Sequence, residues 1–98
     1  FGVRAPMVGH MGDGNFHVVL PYDPAKKEMY TQIRAFNDTL IRKALELNGT
    51  ITGEHGVGLH KKEYLLEQHP DNIPVMKSIK RTLDPNNIMN PGKIFDLN

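Results

Sequence analysis

The fold class this sequence predicts is α+β: a small antiparallel hairpin packed by one long helix, with two shorter helices toward the C-terminus. Three observations predict it. Gly12-Asp13-Gly14-Asn15 is a dense turn signal. Met29, Ile33, Phe36, Leu40 and Ala44 recur every three or four residues, the spacing of one helix face. Two shorter periodic segments follow in the last third of the chain.

Taken in order, residues 1–9 read as a short strand, weakened by Gly2, Pro6 and Gly9. His17-Val18-Val19-Leu20-Pro21-Tyr22 is β-rich and reads as its partner. Asp23-Pro24 predicts an N-cap followed by proline at the first helical position. The helix is expected over 24–48, stopped by Asn48-Gly49. Thr50-Ile51-Thr52 reads as an edge strand and residues 53–58 as a glycine-rich loop. Residues 61–68 and 72–83 read as two short helices. Ile73, Met76, Ile79 and Leu83 form the apolar face of the second, and Asp84-Pro85-Asn86-Asn87 ends it. Asn90-Pro91-Gly92 is a final turn.

With 98 residues the chain is long enough for one small domain, 1–98, with a modest core. Its formal net charge of +1 gives no long-range field to attract nucleic acid or an anionic membrane. Cysteine is absent, which excludes a disulfide framework and any thiolate metal site. That absence fits a reducing compartment, and a cytoplasmic location is expected. No apolar run has the length of a membrane span. The chain opens on Phe1 and reaches a candidate metal ligand, His10, within ten residues, so it reads as a piece of something longer.

The first concentration of chemistry is Gly9-His10-Met11-Gly12-Asp13-Gly14-Asn15-Phe16-His17. Asp-Gly is a favoured pair at the centre of a two-residue hairpin turn. With Asp13-Gly14 there, Gly12 faces Asn15, Met11 faces Phe16 and His10 faces His17. Directly opposed residues share a face, so two imidazoles would converge as metal ligands while Met11 and Phe16 pack into the core. A hairpin bearing two solvated histidines fits the same residues. Asp13 is better suited to the turn than to a metal.

The second is Gly53-Glu54-His55-Gly56-Val57-Gly58. Glu54 offers a carboxylate ligand. Neighbours on extended chain point to opposite sides, which would leave His55 for a substrate. Histidine titrates near neutral pH and suits a general base. The glycines let backbone approach a ligand closely, yet their spacing is not the dinucleotide fingerprint. A tight turn with a solvated Glu-His pair is the plainer alternative. His60 and His69 read as solvated and helix-terminal, and Lys61, Lys62, Lys77, Lys80 and Arg81 as exposed helix faces.

These two stretches, followed by Asp84-Pro85-Asn86-Asn87-Ile88-Met89-Asn90-Pro91-Gly92-Lys93-Ile94-Phe95, occur in an order that resembles the C-terminal segment of the FAD-linked oxidases of the vanillyl-alcohol oxidase type. The resemblance is nearest to the D-lactate dehydrogenases, the D subunits of glycolate oxidase and the D-2-hydroxyglutarate dehydrogenases. It implies that His10, His17 and Glu54 bind a divalent metal, zinc first, with manganese or iron as alternatives. It implies His55 as the base that takes the substrate hydroxyl proton, and Asn15 as a substrate neighbour. It implies Asn90 and Lys93 as flavin-side residues, with FAD held mainly by an upstream domain that this chain lacks.

The implied reaction is oxidation of a small D-2-hydroxy acid to a 2-keto acid, with the isolated piece inactive and the rest of the parent chain its natural partner. A membrane-peripheral parent is within the family's range. A homodimer of the piece is a further expectation, since truncation leaves apolar faces open. Two other readings stand beside this one: a small metal-binding structural or interaction domain, and a metal-assisted hydrolase using the same three ligands.

Overall fold

The computed structural model describes residues 2–98, which form two compact units, one running to Glu54 and one starting at His55. The part of the first expected strand that falls on Phe1 lies outside the described residues.

The first unit holds a two-stranded antiparallel sheet, β1 (Met7–His10) and β2 (Asn15–Val18), and a long helix, α1 (Lys27–Glu46). Met7 pairs with Val18, Val8 with His17, Gly9 with Phe16 and His10 with Asn15. This register corrects the one expected from a two-residue Asp13-Gly14 turn. Such a turn of the favoured type needs positive φ at both central residues, and of the two only Gly14 has it, at φ 73. The chain instead turns through a 3-10 segment, Met11–Asp13, closed by the Gly14 N–H donating to the Met11 carbonyl at 3.0 Å. Met11 and Phe16 were expected in the core; they are 49% and 42% exposed.

The start of α1 also differs from expectation. Asp23 accepts a bond from the Ala25 N–H at its carboxylate (3.0 Å) and from the Lys26 N–H at its carbonyl (2.9 Å). The two bonds make a separate turn over Asp23 and Pro24, and the helix begins only at Lys27 with no side-chain cap. The other end follows the sequence closely. Asn48 takes a left-handed conformation (φ 63), its N–H donates to Leu45, and the Gly49 N–H donates to Ala44 at 2.7 Å. This is a Schellman closure. A Cβ on Gly49 would lie 2.9 Å from the Ala44 carbonyl oxygen, so glycine is required where the chain folds back.

Ile33 and Ile41 of α1 are buried, with Phe36 and Leu40 half-buried beside them in sequence, as the periodicity predicts. Ile51 is buried too, but residues 50–52 are irregular and form no strand.

The second unit holds α2 (Lys62–Gln68) and α3 (Ile73–Leu83). Its buried apolar residues are Leu65 and Ile73. The apolar face predicted for α3 is buried only at its start: Ile79 is exposed and Leu83 is 78% exposed.

Polar ties do much of the remaining work. Buried Asp84, at the end of α3, accepts from the Lys80 ammonium and from the Ile88 and Met89 N–H groups at 3.1 and 2.9 Å. Lys80 also donates to the Met89 carbonyl, and Arg81 donates to the Leu97 carbonyl at 2.6 Å. Lys62 donates to the Gly92 carbonyl (3.1 Å) and to Asp96 (2.9 Å). Lys62, Lys80 and Arg81 therefore hold the C-terminal tail rather than standing free on helix faces. Among the described residues no helix is long and apolar enough to cross a membrane.

The bond from Lys80 holds the Asp84 carboxyl below its usual value of 3.8; the Met89 and Ile88 N–H groups act in the same direction, against the opposing effect of burial. A depressed carboxyl pKa stabilises the fold above the unfolded-state value, and the contribution is lost as pH falls through the folded value. At pH 7 Asp84→Asn is therefore expected to lower the urea midpoint, and the gap from wild type is expected to close as pH drops below about 4. In the first unit, Ile41→Ala is expected to cost roughly 2–5 kcal/mol by urea titration.

Candidate functional site

Side chains alternate across a strand, so the observed register puts Val8, His10, Asn15 and His17 on one face of the hairpin and Met7, Gly9, Phe16 and Val18 on the other. His10 lies directly opposite Asn15. It is therefore diagonal to His17, a separation of roughly 7–8 Å instead of the 4.5–5.5 Å of a facing pair. The two histidines share a face, as expected, but not a cross-strand position.

Gly9 makes this close pairing possible. Its φ is 148, and a Cβ there would lie 2.9 Å from both the Asn15 carbonyl oxygen and the Phe16 Cα. No L side chain fits that conformation and that space together.

Glu54 is where the face meets the glycine-rich loop. The His17 Nε2 lies 3.1 Å from Glu54 Oε1, and the Asn15 amide donates to Glu54 Oε2 at 2.9 Å. One carboxylate thus engages two residues of β2 that stand two positions apart. The loop contributes through Gly53 as well, because an added Cβ would sit 1.9 Å from the Asn15 Oδ1. The Asn15 amide lies directly against that backbone. His17 is half-buried, with its side chain 27% exposed, and Glu54 is more open at 47%.

Among the sequence-predicted site residues, the structure brings together Asn15, His17 and Glu54. His10 is exposed at the end of β1 and does not join that cluster. His55 follows Glu54 directly and opens the second unit. Asp13 belongs to the 3-10 turn, as its sequence context indicates.

Within the second unit, the glycine-rich loop and the tail are joined. The Ile94 N–H donates to the Gly58 carbonyl at 2.8 Å, with Ile94 held at φ 70. A β-branched residue rarely adopts that conformation. Asn90, Pro91, Gly92 and Lys93 form the expected turn, with Gly92 at φ 72 and the Lys93 N–H donating to the Asn90 carbonyl at 3.4 Å. Asn90 and Lys93 line a cavity of about 270 Å³ whose other walls include Leu83, Met89 and Phe95. Asn87 also lines it, and its buried side-chain oxygen has no hydrogen-bond partner among the described residues. Sequence reasoning passed over Asn87 except as a helix stop; its left-handed φ of 51 leaves no mark in composition or spacing.

Similarity to known proteins extends over most of the chain. The family described as FAD linked oxidases, C-terminal domain, matches residues 1–94. A probable mitochondrial D-lactate dehydrogenase of Danio rerio is 46% identical over 97% of this chain and 19% of its own length. The glycolate oxidase subunit GlcD of Bacillus subtilis is 44% identical over 89% of this chain and 19% of its own. A D-2-hydroxyglutarate dehydrogenase of Stutzerimonas stutzeri is 42% identical, again over 89% and 19%. The chain thus spans about a fifth of the length of these curated relatives.

The hairpin that carries the site is expected to depend on Gly9. Gly9→Ala should cost about 1–3 kcal/mol and erase the cross-strand nuclear Overhauser contacts between Val8 and His17. Intact contacts in that variant would show that the strands pair without the close approach.

Proposed function

Since the chain belongs to the FAD-linked oxidases, as their C-terminal domain, we propose that it forms the metal- and substrate-side portion of a flavin-dependent dehydrogenase that oxidises a D-2-hydroxy acid to a 2-keto acid. The observation that carries this reading is the meeting of His17 and Glu54 with Asn15, with His55 next in the chain. The relatives named for D-lactate, glycolate and D-2-hydroxyglutarate support a substrate class of small acids with a hydroxyl next to the carboxylate.

The donor set fits a divalent ion. Two ligand atoms bound to one ion at about 2.0–2.2 Å lie roughly 3 Å apart, and the His17 Nε2 and Glu54 Oε1 are separated by 3.1 Å. His10, on the same hairpin face, is the third ligand in this reading. One nitrogen-rich, carboxylate-containing set with open positions suits zinc, and manganese or iron share the same chemistry. The tail's cavity mixes apolar and polar lining, as a flat ring with polar edges would need: Leu83, Met89 and Phe95 together with Asn90, Lys93 and Asn87, whose side-chain oxygen is orphaned.

When bound, the ion supplies Lewis-acid polarisation of the substrate hydroxyl and FAD supplies the hydride acceptor. The chain's own residues do the rest. His17 and Glu54 would hold the cation. His55 accepts the hydroxyl proton on a ring nitrogen, so no alkoxide need persist. The remaining protein, about four-fifths of the relatives' length, provides the flavin domain and the groups that hold the substrate carboxylate.

Two measurements test this. By elemental analysis, near-stoichiometric zinc, manganese or iron is expected in the wild type and its loss in His17→Ala and Glu54→Ala. An ion-free site in the longer enzyme as well would sink the metal reading. In the longer enzyme, oxidation of D-2-hydroxy acids with an artificial electron acceptor should fall roughly 100- to 10,000-fold in kcat/KM on His55→Ala, with flavin content unchanged. A rate within a few-fold of wild type would remove His55 as the base.

A further inference from the structure

The Asn15 amide has a partner that the proposed mechanism does not use. It donates to Glu54 Oε2 at 2.9 Å, the oxygen opposite the one that meets His17. A free glutamate has three rotatable bonds, and a side chain about half exposed gains little order from packing. Asn15, by contrast, sits on a paired strand in register with His10. A hydrogen bond from a strand-borne amide to one carboxylate oxygen fixes the plane of the carboxylate and aims the second oxygen. Charge assistance makes such a bond stronger than one between neutral groups.

The arrangement also explains the glycine before Glu54. At Gly53 a Cβ would overlap the Asn15 Oδ1 at 1.9 Å, far inside any real contact. The φ of Gly53 is not in the left-handed region that favours glycine, so backbone conformation is not what excludes a side chain there. What excludes it is the Asn15 amide.

We infer that Asn15 is a positioning residue for Glu54, and that Gly53 is glycine in order to admit the Asn15 amide against the loop. The inference rests on the reading of Glu54 as a metal ligand. It assigns Asn15 an action through that ligand, distinct from contact with the substrate. Outer partners of this kind typically change metal affinity 10- to 100-fold when removed.

The test uses zinc ion alone and a chromophoric chelator as competitor, on the wild-type chain and on Asn15→Ala, Gly53→Ala and the double variant. Each single substitution is expected to raise the zinc Kd about 10- to 100-fold. The double variant should match Asn15→Ala, because the Gly53 methyl then meets no amide. Independent, multiplying losses would overturn the inference, since they would show Gly53 acting through the backbone. So would a zinc Kd unchanged by Asn15→Ala.

A second readout needs no metal. The Asn15 side-chain amide signal in a nitrogen–proton correlation spectrum should move on Glu54→Ala, in a fold whose other signals stay in place. If the wild-type chain binds no zinc but the amide signal moves, the positioning contact stands, and the ion content of the longer enzyme decides the metal reading. If the amide signal does not move, the inference fails whatever the metal result.

Discussion

Which side chains can stand beside Glu54 is decided by the pairing of β1 with β2. A strand presents alternate residues to one face, so Asn15 and His17 reach the same carboxylate only as a pair, two positions apart. That pair is held in place by the ladder, and the ladder closes through Gly9, where the opposing backbone approaches too near for any Cβ. Four short strand residues on each side, a 3-10 turn and two glycines therefore determine the geometry of a carboxylate that is nearly forty residues away in the chain.

The register also separates what was legible in the sequence from what was not. The hairpin and the shared face of His10 and His17 were readable from the motif; Glu54 was readable only as a ligand or a solvated turn residue, and its joining that face was implied by the resemblance. The pairing was not, because Asp13-Gly14 satisfies two different turns equally well at the level of residue type. The observed register differs from the expected one by an even step, so every residue keeps its face and only its partner changes. Periodicity carries face information and is blind to partner identity, which is why His10 was placed across from His17 and is found across from Asn15. Likewise the α1 periodicity identified Ile33, Phe36 and Leu40, and Asn48-Gly49 was a sound stop, while Asp23-Pro24 formed a turn of its own. Exposure of Met11, Phe16, Ile79 and Leu83 was not foreseeable either: an apolar residue at helical or strand spacing says where a face is, not whether anything covers it.

The second unit shows how a short segment with two buried apolar residues is kept in shape. Asp84 draws together a lysine one helical turn back and two backbone amides ahead of it. The chain that leaves α3 is thereby bent under the helix end, which brings Asn87, Asn90 and Lys93 around one cavity. Each of these ties uses a charged residue that composition alone would assign to solvent. The distinction lies in burial: Asp84 is closed off from water, and a buried carboxylate persists only with partners for its lone pairs.

Lys62 draws a consequence from the same economy. Its ammonium already donates to the Gly92 carbonyl and the Asp96 carboxylate, at the start of α2 and across to the tail. An amine engaged in this way is shielded from reagents, whereas the solvent-exposed Lys26 and Lys27 have no such restraint of the tail to break. Acylating reagents should therefore mark Lys62 late. When they do, the neutral amide left behind can no longer bridge Gly92 and Asp96, so a single acyl group would loosen the turn that carries Asn90 and Lys93.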